Sequence, residues 1–390
     1  MPDFDALWSA ILTRLEGEKR RRRLRDVTRL PGGRIKLGDG RELLDFASND
    51  YLGLSFHPEL IKKSCEYTAT QGTGAGASRL VAGNLAPFSE IEAKLAAGKG
   101  AEAALLFVSG VQANLTILPA LLDAKTLGAE PLVYADRLNH ASLIQGCIGA
   151  GVRQNRFRHN DLAHLEELLR RDEALGRPRF IITESVFSMD GDCADISALS
   201  AIAEKYGAFL YVDEAHATGV LGENGFGLVK GGRNILAMGT FSKGLGGFGA
   251  YVACSGVLRE YLVNRCGGVI YATALPPAVL GAMQAAVDLL PSLDTERVYL
   301  QALAEDFRNR LRQAGLDTGA SRTQIVPVIL GDEAKVLEVA AGLEEDGFYV
   351  GAIRPPTVPA GTSRLRISLS ASHESKNVAA LADAIIRRAR

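Results

Sequence analysis

The sequence predicts an α/β fold in which a mostly parallel sheet is covered by helices on both faces, followed by a smaller C-terminal α/β domain. Two observations predict it. From residue 104 onward, short apolar runs alternate with amphipathic segments of helical length. The apolar runs are nearly continuous, which is typical of strands buried on both faces of a parallel sheet. The strand candidates are, in chain order, Ala104–Val108, Pro131–Tyr134, Phe180–Thr183, Phe209–Val212, Ile235–Met238 and Tyr251–Cys254.

The two ends of the chain predict smaller elements. Residues 4–25 have helical spacing, and glycines at 32–33 and 40 indicate the turns of a hairpin. The C-terminal part contains three strand candidates and a final helix: Ile325–Leu330, Tyr349–Ile353, Arg364–Leu369 and Asn377–Arg388. We therefore expect an N-terminal segment over 1–47, a large domain over 48–290 and a C-terminal domain over 291–390.

Composition excludes several classes of protein. The 390 residues are 47% hydrophobic with a net charge of −1, which gives no reason to expect nucleic acid or an anionic membrane as partner. Five scattered cysteines without C-x-x-C spacing predict reduced thiols in a cytoplasmic protein, with neither disulfides nor a metal site. No signal peptide or membrane span is indicated. The basic run at 19–25 lacks interleaved aromatic residues, and a solvated helix end explains it better than a nucleic-acid site.

Lys243 lies in the short connection between the last two strand candidates of the large domain. Thr240 and Ser242 precede it, and four glycines follow it. A lysine held between buried strands is suited to forming a Schiff base with a carbonyl group, although a surface turn with an incidental lysine is an alternative. Residues 244–249 also match the G-x-G-x-x-G dinucleotide pattern. That site needs a helix to begin at the glycines, whereas here a strand follows, so we expect no dinucleotide site.

Polar residues follow the ends of successive strand candidates. Carboxyl ends of parallel strands meet at one edge of a sheet, where ligands bind. The small-residue turn at 109–114 leads into a helix and offers backbone N–H groups to a phosphate. The other residues expected at this edge are His140, Glu184, Asp213, His216 and Lys243.

A lysine, a phosphate seat and a strand-end carboxylate together describe a pyridoxal phosphate site. An aspartate beside the ring nitrogen keeps it protonated, and an imidazole over the ring restrains it. The lysine holds the aldehyde at rest and then acts as base at the amino acid Cα. A scaffold subunit without activity and a nicotinamide dehydrogenase remain as alternatives of other classes.

Four motifs carry a resemblance to a known family, and together with the segment over 352–366 they span nearly the whole chain in the family's order. They are Ser48-Asn49-Asp50-Tyr51-Leu52-Gly53, Ser185-Val186-Phe187-Ser188-Met189-Asp190-Gly191-Asp192, Asp213-Glu214-Ala215-His216-Ala217-Thr218-Gly219 and Thr240-Phe241-Ser242-Lys243. The chain resembles the α-oxoamine synthase family of fold-type I pyridoxal phosphate enzymes. These condense an amino acid with an acyl thioester, with loss of CO2.

The resemblance implies roles for particular residues. Lys243 would be the Schiff-base lysine, with Asp213 at the ring nitrogen and His140 stacked on the ring. The other residues expected at the cofactor are Ser109, Gly110, Val111 and Thr240 at the phosphate, His216 and Ser188 at the ring hydroxyl, and Glu184. Family members are typically homodimers with sites at the interface, so Thr273 is expected to reach the partner's phosphate.

The segment over 352–366 bears on the substrates. Its Arg-Pro-Pro-Thr-Val-Pro form is similar to that of the family member that joins L-alanine to a pimeloyl thioester, carried by coenzyme A or a carrier protein. Members that use glycine or serine with another acyl group are the alternative. The residues expected at the substrates are Asn49, Thr357, Arg366 at the amino acid carboxylate, and Arg25 at the end of the acyl chain.

The sequence departs from the family pattern at two places. Phe88 stands where relatives often carry a histidine, and Ala272 and Ala274 flank Thr273 where serine or threonine is common. Neither departure removes a catalytic residue, but both concern the contacts expected between subunits.

Overall fold

A computed structural model of the chain describes residues 2–18 and 20–390. Lys19, part of the basic run considered above, lies outside them. The strands are β1 (Val27–Leu30), β2 (Arg34–Leu37), β3 (Glu42–Asp45), β4 (Ala103–Phe107), β5 (Leu132–Asp136), β6 (Gln154–Phe157), β7 (Arg179–Glu184), β8 (Ala208–Asp213), β9 (Ile235–Thr240), β10 (Ala250–Cys254), β11 (Ile325–Gly331), β12 (Phe348–Tyr349), β13 (Gly351–Ile353) and β14 (Ser363–Ser368).

The helices alternate with these strands over most of the chain. They are α1 (Phe4–Gly17), α2 (Pro58–Gln71), α3 (Pro87–Lys99), α4 (Gly110–Leu121), α5 (Ala124–Leu127), α6 (Ala141–Gly149), α7 (Leu162–Arg171), α8 (Ile196–Lys205), α9 (Gly256–Arg265), α10 (Gly267–Ile270), α11 (Pro277–Leu289), α12 (Asp294–Gln313), α13 (Glu333–Glu345) and α14 (Ser375–Ala389). The chain forms two compact units. The large unit is residues 49–188 and 192–299, and the small unit is residues 1–48, 189–191 and 300–390.

The large unit is built on a seven-stranded sheet of order β4-β10-β9-β8-β7-β5-β6. Neighbouring strands from β9 to β6 are parallel, whereas β10 runs antiparallel to both β9 and β4. Each of the six predicted strands of this region has its counterpart in the sheet. Strand β6 was not predicted, because its residues Gln-Asn-Arg-Phe lack the apolar run on which the other predictions depend.

Helices cover both faces of this sheet, because successive side chains of a strand point to opposite faces. In β8, Tyr211 belongs to the apolar cluster that includes residues of α4, α6 and α9. Leu210 and Val212 belong to the cluster that includes residues of α7 and α8. The sequence reads as continuous apolar runs for this reason.

The small unit contains two short sheets. One has the order β1-β2-β3-β12 and includes the predicted hairpin, and the other has the order β11-β14-β13. Strand β14 is buried along its whole length and pairs antiparallel with both of its neighbours. Helices α13 and α14 pack together in the same unit.

The prediction of one helix over residues 4–25 was wrong at its end. Helix α1 stops at Gly17, and residues 20–26 are not helical. The arginines that follow form ion pairs instead, such as Arg20 with Glu333 at 2.8 Å and Arg25 with Glu344 at 2.6 Å. Like charges three and four residues apart repel one another on a helix, and separate carboxylate partners stabilise the non-helical path of these arginines better.

The described part of the chain contains no disulfide, no membrane-spanning helix and no cluster of metal ligands. None of the five cysteines, all of which lie among the described residues, forms a disulfide. Over residues 2–18 and 20–390, no helix is both long and apolar enough to cross a membrane. Within the same residues no group of three or more histidine, cysteine, aspartate or glutamate side chains is arranged to hold a metal ion.

Candidate active site

A cavity of about 190 Å³ opens at the carboxyl ends of the parallel strands in the large unit. Its walls bring together residues from the ends of β5, β7, β8 and β9 and from the start of α4. Nine of the lining residues were predicted from the sequence: Ser109, Gly110, Val111, His140, Glu184, Asp213, His216, Thr240 and Lys243. Five were not predicted: Asn114, Ser142, Ala215, Met238 and Ser242.

The first turn of α4 provides one wall of the cavity. Ser109 caps this 12-residue helix, and its Oγ accepts a hydrogen bond from Gln112 N at 3.1 Å. The backbone N–H groups of Gly110 and Val111 come before the first intrahelical hydrogen bonds. These groups and the positive end of the helix dipole form an anion seat of the kind that binds phosphate.

Lys243 is half-buried at the cavity and contacts a chain of polar groups. Its Nζ lies 2.7 Å from His216 Nε2, and His216 Nδ1 lies 2.6 Å from the hydroxyl of Tyr51. That hydroxyl also donates to Asn49 Oδ1 at 3.0 Å. The lysine amine is therefore connected through an imidazole and a phenol to a residue that the sequence analysis assigned to the substrate.

The connection that carries Lys243 contains no helix, which agrees with the expectation that its glycines do not bind a dinucleotide. The glycines serve a different purpose. A Cβ at Gly244 would lie 2.6 Å from the carbonyl oxygen of Thr218, and one at Gly246 would lie 2.4 Å from Ser55 N. Their small size lets the loop approach the protein's own backbone and fixes the path of the chain around Lys243.

Asp213 and Glu184 lie side by side at the ends of neighbouring parallel strands. Asp213 Oδ1 accepts from Ala215 N and Oδ2 accepts from Asn114 Nδ2, both at 2.9 Å. Glu184 Oε1 accepts from His140 N at 2.5 Å. Burial and the neighbouring Asp213 carboxylate raise the pKa of Glu184 well above its usual value, so protonation of Glu184 is favoured.

His140 caps α6, with its Nδ1 accepting a hydrogen bond from Ser142 N at 3.2 Å. Burial lowers the pKa of His140, and Lys243 acts in the same direction, while Asp213 opposes them. The imidazole at the cavity is therefore neutral at physiological pH. A neutral, flat ring matches the expected role of stacking on an aromatic cofactor.

The remaining predicted residues do not line the cavity. In the large unit, Ser188 is half-buried beyond β7, and Thr273 forms an isolated bridge with Ser78, which lies between α2 and α3. In the small unit, Arg25 binds Glu344, Thr357 Oγ1 accepts from Arg22 at 3.3 Å, and Arg366 donates to Ser368 Oγ at 2.7 Å on β14. Their assigned roles stay predictions.

Phe88 departs from the family pattern for a reason visible in the fold. Its ring is 1% exposed in the core beneath α3, and the guanidinium of Arg79 lies 4.1 Å from the ring centroid. A buried aromatic ring with a guanidinium over its face is a packing residue.

The donor set around the cavity fits pyridoxal phosphate. The cavity offers one partner to each part of the cofactor. The anion seat at the start of α4 suits the phosphate, the amine of Lys243 suits the aldehyde, and the hydrogen-bonded carboxylate of Asp213 suits the ring nitrogen. A sheet of this topology with this set at its carboxyl edge defines the class of the fold-type I transferases, as the sequence predicted.

Comparisons with known proteins identify the family. Residues 41–385 match the model of the family described as aminotransferase class I and II. An 8-amino-7-oxononanoate synthase of Gluconacetobacter diazotrophicus is 53% identical over 100% of this chain and 98% of its own length. The chain therefore belongs to the aminotransferase class I and II family and, within it, to the group of the 8-amino-7-oxononanoate synthases.

Solved structures confirm the fold class. A serine palmitoyltransferase from Sphingomonas wittichii has a TM-score of 0.88 and 28% identity, with 99% of this chain and 96% of that chain covered. The 8-amino-7-oxononanoate synthase from Francisella tularensis has a TM-score of 0.76 and 26% identity, with 88% of this chain and 97% of that chain covered. Another similar structure, a form of SPT that is 28% identical with a TM-score of 0.89, contains PLP and covers 99% of this chain and 97% of its own.

Proposed function

We propose that the chain is a pyridoxal phosphate-dependent acyltransferase of biotin biosynthesis. It condenses L-alanine with a pimeloyl thioester of coenzyme A or a carrier protein, giving 8-amino-7-oxononanoate, CO2 and the free thiol. One observation supports this class of reaction: Lys243, Asp213 and His140 line the same cavity. The substrates are supported by the 53% identity with a relative named for this product.

The cofactor supplies a carbonyl for the amino group of alanine and a ring that stabilises negative charge at its Cα. The residues that would hold it are those of the cavity, with the phosphate at Gly110 and Val111 and the ring nitrogen at Asp213. Because both oxygens of Asp213 accept hydrogen bonds, the carboxylate is fixed as an acceptor for a proton on that nitrogen. The neutral imidazole of His140 lines the cavity, where it would lie beside the ring of the cofactor.

Lys243 is the base that removes and returns the Cα proton of the amino acid. His216 accepts a hydrogen bond from Nζ at 2.7 Å, which orients the amine and leaves its lone pair for proton transfer. The phenol of Tyr51 fixes the other nitrogen of His216 at 2.6 Å, so the orientation of the imidazole is determined on both sides. The assignment of His216 to the ring hydroxyl comes from the family resemblance.

The residues proposed to bind the substrates are those that the family resemblance implies. Asn49 is proposed at the amino acid, supported by its contact with Tyr51. Arg366 is proposed for the alanine carboxylate and Thr357 for a nearby contact. Arg25 is proposed for the terminal carboxylate of the pimeloyl chain, and its bidentate bond to Glu344 shows that this guanidinium already binds a carboxylate of the chain itself.

We also propose that the protein works as a homodimer in the cytoplasm, with Thr273 at the partner's phosphate. The exposed position of Thr273 supports the first point, and the absence of disulfides among the five described cysteines supports the second. Serine palmitoyltransferase is the second candidate, since its structures match with TM-scores up to 0.89. It is the weaker candidate, because the serine palmitoyltransferase is 28% identical to this chain and the 8-amino-7-oxononanoate synthase is 53% identical.

The test is thiol release by the full-length, pyridoxal phosphate-loaded protein with pimeloyl-CoA and L-alanine, glycine or L-serine in parallel. We expect release and an oxononanoate product with alanine alone. Release with glycine or serine instead would overturn the assignment of the substrate while keeping the family. Lys243→Ala is expected to remove both turnover and the visible absorbance of the bound cofactor, and turnover retained in this variant would overturn the mechanism.

A further inference from the structure

Asn114 is a buried polar side chain on α4, and the sequence analysis assigned no role to this side chain. It lies one turn beyond the anion seat, with 1% of its surface exposed. Its amide makes three hydrogen bonds: Nδ2 to Asp213 Oδ2 and to Ser142 Oγ, both at 2.9 Å, and Oδ1 to the hydroxyl of Tyr211 at 2.7 Å. This one amide therefore joins strand β8 to the first turn of α6 at the cavity.

The direction of each hydrogen bond follows from the chemistry of the partners. Tyr211 has a fully buried hydroxyl, and burial raises its pKa well above the usual value, so this hydroxyl donates to Asn114 Oδ1. The oxygen of the amide is thereby assigned, and the NH2 group faces Asp213 and Ser142. One N–H then goes to the Asp213 carboxylate and the other to the Ser142 hydroxyl.

The same logic extends to His140. The Ser142 hydroxyl accepts from Asn114, so its own proton is directed at His140 Nδ1, 2.7 Å away. Nδ1 also accepts from Ser142 N at 3.2 Å, and both contacts require this nitrogen to carry no proton. The neutral imidazole must then carry its proton on Nε2.

We propose that Asn114 is a positioning residue that sets two groups of the site at once. It holds Asp213 as an acceptor aimed at the ring nitrogen of the cofactor, and through Ser142 it fixes the tautomer of His140. This inference rests on the proposed function, because it takes the roles of Asp213 and His140 from it. A residue that only satisfied buried polar groups would support stability but would not distinguish one ligand from another.

The test compares binding of pyridoxal phosphate with binding of its deaza analogue, in which CH replaces the ring nitrogen, to the full-length protein. Asn114→Leu keeps the side-chain size and removes all three hydrogen bonds. A hydrogen bond to a charged group corresponds to about tenfold or more in affinity. We therefore expect pyridoxal phosphate to bind about tenfold more weakly to this variant, and the deaza analogue to change by less than about threefold.

Tyr211→Phe provides a milder variant that tests the same point if Asn114→Leu does not fold. It removes the donor that orients the amide, and the selective loss for pyridoxal phosphate is expected to be smaller but of the same sign. Tyr134→Phe is the matched control, since Tyr134 is also fully buried on a strand of this sheet but donates to Asp172 at 3.0 Å, outside the cavity. It should leave the ratio of the two affinities unchanged.

Nitrogen NMR of the protein labelled at histidine gives a second readout. In the wild-type chain, His140 should show an unprotonated Nδ1 and a protonated Nε2, and Ser142→Ala should mix the two tautomers. A protonated Nδ1 in the wild type, or an equal loss of both ligands in the variants, would overturn the inference. Wild-type protein that bound no pyridoxal phosphate would overturn the proposed function as well, whereas binding with an unchanged affinity ratio would overturn the role of Asn114 alone.

Discussion

The ion pair between Lys99 and Glu214 is the most deeply buried one in the large unit among the residues described, with side-chain exposures of 1% and 0%. Lys99 ends α3, and Glu214 directly follows the proposed cofactor ligand at the end of β8. Lys99 Nζ also donates to Phe226 O at 2.8 Å, and Glu214 Oε1 accepts from Leu228 N and Val229 N at 2.6 and 2.9 Å. The pair thus ties a helix and a loop to the segment that carries the site.

We expect Glu214→Gln to be strongly destabilising. Glutamine can still accept from the two backbone amides, but the buried Lys99 ammonium loses its counter-charge. Removing one partner of a buried pair costs about 3–5 kcal/mol. For a chain of 390 residues the entropy of unfolding is about 0.8 kcal/mol per degree, so 4 kcal/mol lowers the Tm by about 5 °C.

The double variant Lys99→Met with Glu214→Gln removes both charges. Replacing a buried pair by uncharged side chains is often close to neutral, so the double variant should lose less than Glu214→Gln alone. Lys94→Met is the control on the same helix: its pair with Glu90 is 36% and 52% exposed, and its loss should shift the Tm by less than about 1 °C.

The assay is thermal unfolding of five proteins, namely the wild type, Glu214→Gln, Lys99→Met, their double variant and Lys94→Met. All are measured at one scan rate and one pyridoxal phosphate concentration, because both conditions affect an apparent Tm. A shift of less than about 1 °C for Glu214→Gln would refute the buried-charge argument. So would a double variant whose loss equals the sum of the two single losses, since the charges would then not act as a pair.

Two further predictions concern stability. Burial opposes a charge on His159, but hydrogen bonds to two aspartates outweigh it and raise its pKa to about 10. The stabilisation by the charged imidazole is complete below about pH 6.5 and is lost as the pH rises through about 10, so His159→Gln should flatten the fall in Tm over that range. At Gly98 in α3 a Cβ would lie 2.3 Å from the Phe226 ring, and Gly98→Ala should cost about 1–3 kcal/mol. Gly17→Ala in α1, where nothing lies within 4 Å, should instead be neutral or stabilising in the same melting assay.

The strands were predictable because burial on both faces of the sheet requires a nearly continuous run of apolar residues. The edge strand β6 has no such run, since only Phe157 of its four residues is buried. The sequence pattern also could not predict that β10 runs antiparallel to its neighbours. The direction of a strand depends on the length and path of the connection that leads to it rather than on the strand's own residues. The end of α1 was misplaced because helical spacing alone ignores repulsion between like charges three and four residues apart in the basic run.

The site was predictable to the extent that its residues stand at strand ends, as Asp213 and His140 do. Asn114 and Ser142 were not predicted as site residues because they lie inside or at the start of helices. Neither belongs to one of the four motifs that carry the family resemblance. A signal was present: Asn114 interrupts the apolar run Ala-Asn-Leu-Thr-Ile-Leu, and a polar residue on a buried helix face needs partners. The identity of those partners depends on the packing of α4 against the sheet, which sequence patterns do not specify.

The placement of charge in the cavity shows how the fold distinguishes two adjacent carboxyl groups. Glu184 and Asp213 occupy the same register on neighbouring strands, where two negative charges would repel each other. Glu184 is fully buried and accepts a hydrogen bond from a backbone N–H, and its pKa is raised. Asp213 instead receives both a backbone N–H and the amide of Asn114, which stabilise negative charge on it. Burial and the neighbouring carboxylate raise the pKa of Glu184, while the buried amide of Asn114 gives Asp213 a second hydrogen-bond donor beside the backbone N–H of Ala215. The two adjacent carboxyl groups therefore differ in both burial and hydrogen bonding.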